Sequence, residues 1–316
     1  GAAMALPSRG GHIVTTKIEH HAVIHPVEQL EKYGFETTYV GVDKYGRVDP
    51  GDVASAIRPE TFLVSVMLVN NEVGTIQNVS KISQMVRESS EHQGARVLMH
   101  TDAVQAAGRV PVNCRNLSVD LLSVSAHKIY GPKGIGALVV RRGTRRIRLA
   151  PQIEGGGHEA HLRSGTLPVP LVIGFGTACR LAREALESES IRLSGLAESL
   201  AEGIRSRLPG VRINGHATDR LPGNVHLGFE GVDGDALLAG LRRIAVSSGS
   251  ACTTANPEPS HVLAAMGVPE SLSRASLRFG LGRFNTQEDI VVAVDEVVTT
   301  VERLRGVDSS PRPTVR

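Results

Sequence analysis

Six short runs of apolar and β-branched residues recur through the first 141 positions, and segments with helical spacing separate several of them. The runs cover residues 12–17, 37–42, 61–69, 95–101, 120–125 and 136–141. Strands that alternate with helices form βαβ units, which place the strands side by side in a parallel sheet with helices on its faces. The pattern therefore predicts an α/β fold around a mainly parallel central sheet.

Glycines mark the ends of two of the predicted helices. Residues 27–33 precede Gly34, and a segment with Ile82, Met85 and Val86 on one face stops at Gly94. Glycine adopts the left-handed conformation that commonly closes a helix, so both positions are typical helix ends.

The pattern changes after about residue 180. One apolar stripe is formed by residues at helical spacing, namely Leu196, Leu200, Ile204 and Leu208. Short strands are predicted at 211–214 and 224–228, and a last helix opens with Thr286 and Asp289 in a capping-box arrangement and runs to Leu304. We therefore predict a large domain at 1–180, a smaller α+β domain at 181–305, and a disordered tail at 306–316.

Composition excludes several classes of protein. The three cysteines have no CxxC spacing, which argues against a disulfide framework and a structural metal site and favours a reducing cytoplasm. No apolar run is long enough to span a membrane, and no signal segment opens the chain. The net charge of +3 is spread along the chain apart from a short basic run at 141–148, so we expect no direct nucleic-acid binding.

The strongest local motif is SVSAHKIYGPKGIGAL, in which a strand ends at Ser125 and Lys128 follows before a glycine-rich turn. The preceding strand ends in HTDAVQAAG, which puts Asp102 and Gln105 at the same predicted sheet edge. A strand-end lysine is usually a surface residue, and an Asp beside it usually forms a structural ion pair. Pyridoxal phosphate (PLP), however, needs both a lysine for its aldehyde and a carboxylate for its pyridine nitrogen.

Seven motifs in this order resemble the cysteine desulfurases of the NifS and IscS type, which have the PLP-dependent transferase fold of fold type I. They are IEHHAV (18–23), VNNEVGTIQ (69–77), HTDAVQAAG (100–108), SAHKIYGPKGIGAL (125–138), GGGHEAHLRSGTLPVP (155–170), SSGSACTTANPEPSHVL (247–263) and SLRFGLGRF (276–284). The resemblance covers nearly the whole chain, from His12 to Leu304. It implies a smaller C-terminal α+β domain beside the PLP-binding domain.

The resemblance implies a role for each matching residue around the cofactor. Lys128 resembles the Schiff-base lysine, Asp102 the partner of the pyridinium nitrogen, and Gln105 the donor to the ring phenolate oxygen. His20 would stack on the ring and move protons, a role for which imidazole is suited because it titrates near neutral pH.

Further matches concern the phosphate and the substrate. Ser125 and His127 would bind the cofactor phosphate, and Thr166 would reach the phosphate of a neighbouring subunit, which implies a homodimer. Asn71 and Arg278 would hold the carboxylate of the substrate L-cysteine, a task that suits a planar guanidinium.

Cys252 determines which reaction the resemblance implies. It lies in a run rich in Ser, Gly, Thr and Pro that we expect to be a mobile loop, where a thiolate can travel to the substrate as a nucleophile. Cys114 and Cys179 are expected to be small buried residues. The implied reaction converts L-cysteine to L-alanine and leaves a persulfide on Cys252 for a sulfur-acceptor protein, in iron–sulfur cluster assembly or in DNA or tRNA thiolation such as DNA phosphorothioation.

Two other functions remain open at this point. A selenocysteine lyase or another class V PLP enzyme shares the fold, although an aminotransferase would not need Cys252. Family members also carry a phosphate-binding loop upstream of the region matched here, so a chain that lacked it would bind PLP weakly and could serve as a non-catalytic interaction module. The segment PRPTVR does not resemble the C-terminal extension with which IscS-like members dock their scaffold protein.

Overall fold

The computed structural model describes residues 1–7, 10–143, 146–248 and 259–308. These residues form two compact units. The larger unit comprises Gly1–Asp43, Arg47–Asn71 and Ile76–Leu186, and the smaller comprises Lys44–Gly46, Glu72–Thr75 and the chain from Glu187 onward. The sequence placed the division at residue 180 and did not predict that two short N-terminal segments belong to the smaller unit.

The larger unit is built on a six-stranded sheet of order β2-β1-β3-β4-β5-β6. Its strands are β1 (His12–Thr16), β2 (Glu36–Val40), β3 (Thr61–Ser65), β4 (Leu98–Asp102), β5 (Leu121–Ser125) and β6 (Gly136–Val140). The first five run parallel, and β6 pairs antiparallel with β5. Each strand lies within one of the six apolar runs or extends at most one residue beyond it, which confirms the mainly parallel α/β sheet.

Three helices separate the early strands of this sheet, and they are α1 (His21–Glu31), α2 (Pro50–Ser55) and α3 (Val79–Gln93). Helix α3 ends as predicted, because Gly94 has φ 64° and takes the left-handed cap position. Helix α1 begins at His21 rather than at residue 27 and includes Pro26. His20 caps it by accepting the backbone N–H of Ala22, so a side-chain cap and not the proline sets its start.

Helix α4 (Val169–Arg205) contributes its first half to the larger unit and its second half to the smaller one. The smaller unit also holds strands β7 (Val211–Ile213), β8 (Asn224–Phe229), β9 (Ser247–Ser248) and β10 (Ser276–Gly280) and helices α5 (Gly234–Gly240), α6 (His261–Ala265), α7 (Glu270–Arg274) and α8 (Gln287–Asp308). Its sheet has the order β7-β8-β10-β9, in which every neighbouring pair is antiparallel.

The predicted apolar stripe of α4 lies in the core of the smaller unit. Leu200 and Ile204 are fully buried there with Leu227, Phe229 and Val297. An amphipathic helix buries one stripe against a sheet, which is what the spacing predicted.

The predicted capping box opens α8. Asp289 accepts the backbone N–H of Thr286 at 3.0 Å, and the Thr286 hydroxyl accepts the backbone N–H of Asp289 at 3.4 Å. The helix continues through Asp308, so residues 306–308 are helical and their assignment to a disordered tail was wrong. The remainder of that predicted tail lies outside the described residues.

Candidate active site

Four parallel strands end at the same edge of the larger unit's sheet, and most of the predicted site residues follow them. His20 comes after β1, Asn71 after β3, Asp102 at the end of β4, and Lys128 just after β5. In the register of β4 and β5, Asp102 is paired with Ser123, two residues before β5 ends. The structure therefore brings Asp102 and Lys128 to one sheet edge, where open α/β folds bind their ligands.

Asp102 is a half-buried carboxylate at this edge. Its Oδ1 accepts the backbone N–H of Val104 at 2.8 Å, which fixes the carboxyl group. Burial raises the pKa of Asp102, while the Val104 N–H and nearby His20 lower it. No Lys or Arg among the described residues forms an ion pair with it. A sheltered carboxylate without such a partner fits the protonated nitrogen of a pyridine ring.

His20 connects the two charged residues electrostatically. Its Nδ1 accepts the Ala22 N–H at 3.1 Å, so the helix cap also orients the imidazole ring. Burial lowers the pKa of His20, the carboxylate of Asp102 opposes this shift, and Lys128 lowers it further. The charges of Asp102 and Lys128 thus both act on the His20 ring, as expected if the three surround one ligand.

Lys128 lies on a single 3₁₀ turn, Ala126–Ile129, with its side chain exposed. Tyr130 closes this turn with φ 64°, which is uncommon for a residue other than glycine. The glycine-rich sequence after it allows β6 to approach closely, because a Cβ on Gly136 would lie 2.6 Å from the Val124 carbonyl oxygen. The chain therefore turns sharply at the end of β5 and presents the lysine.

Polar groups suited to a phosphate accompany the lysine. Ser125 Oγ and His127 Nδ1 lie 2.8 Å apart, three residues and one residue before Lys128. Gln105 is half-buried in the turn that follows β4. Thr166 is exposed in the segment before α4.

The remaining predicted residues come from other segments of the chain. Arg278 lies on β10 of the smaller unit, where it pairs with His226 of β8 and Ser247 of β9. Cys252 lies outside the described residues, and its role stays a prediction. Cys114 is half-buried and Cys179 is exposed, so the expectation that both are buried was wrong.

The sequence interpretation missed two buried carboxyl groups, Glu19 and Glu72, and one half-buried histidine, His100. Burial raises the pKa of Glu19 to about 8 and that of Glu72 to about 7, and it lowers the pKa of His100 to about 4. Glu19 and Glu72 stand inside the motifs IEHHAV and VNNEVGTIQ, each next to a predicted site residue. That adjacency was the available evidence, but it does not reveal burial.

His226 is the cross-strand neighbour of Arg278. We expect its burial to make the folded protein less stable in acid. Burial, with Arg278 and Arg220, lowers its pKa from 6.5 to about 3. The unfolded chain therefore binds a proton that the folded chain does not, and stability is lost as the pH falls from about 6.5 towards 3, by on the order of 5 kcal/mol at most.

The measurement is the free energy of unfolding in urea as a function of pH. We expect His226→Asn to show a shallower decline than the wild type across that interval. His92→Asn, at an exposed position of α3, is the matched control and should follow the wild-type curve. Equal slopes for His226→Asn and the wild type would contradict the prediction.

The part of the chain that the structure describes lacks two further kinds of feature. It contains no group of three or more His, Cys, Asp or Glu residues arranged to hold a metal ion. None of its helices is both long and apolar enough to cross a membrane.

Comparison with known proteins agrees with the fold. The family model of aminotransferase class-V matches residues 2–292. Cysteine desulfurase IscS of Anaeromyxobacter sp. (strain Fw109-5) is 48% identical over 305 residues, which are 96% of this chain and 74% of that protein.

Two solved structures extend the comparison. A NifS-like protein has a TM-score of 0.86 and 34% identity and covers 96% of this chain and 78% of its own. The structure of SspA in complex with cysteine has a TM-score of 0.75 and 33% sequence identity. The match covers 90% of this chain and 78% of the SspA chain.

The fold and the site define a PLP-dependent enzyme of fold type I, with a lysine and a carboxylate at the carboxyl edge of a mainly parallel sheet. Within that class, the chain belongs to the aminotransferase class-V family and to its cysteine desulfurases.

Proposed function

We propose that this chain converts L-cysteine to L-alanine and transfers the sulfur to Cys252 as a persulfide. The observation that supports this most directly is the arrangement of Asp102, His20 and Lys128, which share one sheet edge and one electrostatic environment. A structural neighbour bound to cysteine supports the substrate.

The residues at the sheet edge fit PLP, which when bound supplies an electron sink for reactions at the Cα atom of an amino acid. Lys128 would hold the aldehyde carbon of the cofactor, and its amine would serve as the base that takes the Cα proton of the substrate. Asp102 would keep the ring nitrogen protonated, and Gln105 would donate to the ring oxygen.

Phosphate and carboxylate contacts complete the proposed site. Ser125 and His127 contact the phosphate of the cofactor, and Thr166 contacts that of the partner subunit. Asn71 and Arg278 bind the substrate carboxylate, for which a guanidinium supplies two parallel N–H donors.

Sulfur transfer requires a second nucleophile, which we assign to Cys252. Its thiolate attacks the substrate sulfur, the Cβ–S bond breaks and a new S–S bond forms. Cβ then takes up a proton, Lys128 returns a proton to Cα, and the product leaves as L-alanine. His20 is the candidate acid and base at the substrate sulfur. One L-cysteine and one enzyme thiol thus become one L-alanine and one enzyme persulfide.

Alanine production from L-cysteine by the PLP-loaded protein tests this proposal. We expect a first burst of one alanine per enzyme molecule. Continued alanine formation should follow when a thiol reductant removes the persulfide. Alanine from L-selenocysteine alone would identify a selenocysteine lyase instead. A protein with neither activity nor a visible cofactor absorption band would support a non-catalytic interaction module.

We also propose that the protein is a homodimer, as the assignment of Thr166 requires. The start of α4 exposes three neighbouring apolar residues, Val169, Val172 and Ile173, and Ile173 is 64% exposed. Apolar patches of this kind mark protein interfaces, because their contact with water is unfavourable.

Substitution of Ile173 tests the dimer. We expect the wild type to elute as a dimer, and Ile173→Glu to weaken the dimer by at least about tenfold, because it would bury an unpaired carboxylate. Val291→Glu, at an exposed apolar position on α8, is the control. Sedimentation equilibrium measures both, and an unchanged dimer in Ile173→Glu would place the interface elsewhere.

The destination of the sulfur is the last part of the proposal. We propose that Cys252 delivers it to an acceptor protein in the cytoplasm, where thiols stay reduced. Iron–sulfur cluster assembly and DNA or tRNA thiolation, including DNA phosphorothioation, are the processes that would consume it.

A further inference from the structure

Two fully buried polar residues each precede a proposed active-site residue in the chain. Glu19 stands before His20, and Asn70 stands before Asn71. Both Glu19 and Asn70 have 0% exposed surface, whereas His20 and Asn71 are half-buried. Polar side chains are seldom buried without a structural reason, because they lose their hydrogen bonds to water.

The contacts of Glu19 and Asn70 join two loops of the larger unit. Glu19 Oε1 accepts the backbone N–H of Met67 at 2.9 Å, which ties the loop after β1 to the loop after β3. Asn70 Nδ2 donates to the backbone carbonyl of Ile18 at 3.0 Å, which ties the second loop back to the first. The two bonds are reciprocal, since each loop supplies one side chain and one backbone group.

These bonds continue the connection between β1 and β3 beyond the ends of the strands. The parallel ladder pairs Ile13 with Leu63 and Val14 with Val64, and β3 ends at Ser65. Past that point each strand continues into its own loop, and hydrogen bonds from side chains hold the two loops together. The Thr16 hydroxyl also donates to Glu19 Oε1 at 2.7 Å, so the acceptor is itself held in place.

We propose that Glu19 and Asn70 are positioning residues that set the spacing between His20 and Asn71 at the sheet edge. This inference rests on the proposed function, which assigns His20 to proton transfer and Asn71 to the substrate carboxylate. A displacement of about 1 Å at a reacting group can lower a rate by as much as about a hundredfold, so such spacing matters for catalysis.

Glu19 performs this task as a neutral carboxylic acid at pH 7. Burial raises its pKa to about 8, the bonds from Met67 and Thr16 lower it, and Asp102 raises it further. A neutral Glu19 leaves the negative charge on Asp102, where a pyridine nitrogen needs it. Glutamine has the shape of the neutral acid and retains an oxygen that can accept from Met67, so Glu19→Gln should preserve the positioning.

The test uses the PLP-loaded protein and steady-state kinetics of alanine formation from L-cysteine. We expect Glu19→Gln to stay within about twofold of the wild type in kcat and KM. Glu19→Ala should lower kcat by about tenfold or more through His20, and Asn70→Ala should raise KM by about tenfold through Asn71. Glu88→Gln and Glu88→Ala, at an exposed position of α3, should behave as the wild type.

A purely structural role would lower the melting temperature without this separation of kcat and KM. If the alanine variants do not fold, Thr16→Val removes one bond to Glu19 with little change of shape and should lower kcat by about threefold. Loss of more than about tenfold activity in Glu19→Gln would overturn the proposal, as would wild-type kinetics in both alanine variants. A wild-type protein that makes no alanine would instead refute the proposed function.

Discussion

Lys128→Ala is expected to remove the visible absorption band of the bound cofactor and to lower alanine formation by about a thousandfold or more. The variant loses the amine that holds the aldehyde carbon and, in the same change, the base that takes the Cα proton. The 3₁₀ turn that carries Lys128 should persist, since it is closed by backbone bonds from Tyr130 and Gly131 to the Ala126 carbonyl.

Lys133 provides a matched control in the same glycine-rich turn. It is exposed, as Lys128 is, but it stands five residues further along the chain. Lys133→Ala should keep both the absorption band and the activity. Absorption spectra and alanine assays measure the two variants side by side, and an active Lys128→Ala protein with an intact band would remove the basis of the cofactor assignment.

Cys252→Ala is expected to abolish persulfide formation and to lower alanine production from L-cysteine by at least about a hundredfold. Without that thiol the substrate sulfur has no acceptor, and the Cβ–S bond does not break. The variant should keep the visible cofactor band, since Lys128 and Asp102 are unchanged. This retention separates a failure of sulfur transfer from a failure of cofactor binding.

Cys179→Ala is the control for this experiment. Cys179 is exposed, although its surroundings raise the pKa of its thiol and so disfavour the reactive thiolate. Mass spectrometry should find the added sulfur atom on Cys252 in the wild type and in Cys179→Ala. Wild-type alanine production from L-cysteine by Cys252→Ala would show that this residue is not the acceptor.

Features that depend on neighbouring residues in the chain could be predicted from the sequence. The six strands of the larger sheet follow from runs of β-branched residues, and the capping box of α8 follows from Thr286 and Asp289 three positions apart. The end of α3 follows from Gly94. In each case the residues that decide the structure lie within one or two turns of it.

Other features required contacts between distant parts of the chain. Helix α4 begins at Val169, well before its amphipathic stripe, and its first half carries exposed apolar residues that give no one-sided pattern. The two-residue strand β9 exists only because Arg278 and Leu277 pair with it. Local propensity is too weak to predict such an element.

The sequence by itself determined the kinds of residue at the site and the strand ends that carry them, including Lys128, Asp102 and His20. Only the tertiary structure decided which groups lose their charge, because a pKa depends on burial by residues far away in the chain. Glu19 shows the difference: its motif was visible, but its neutral state follows from burial and from the Met67 amide, which lies 48 positions further along.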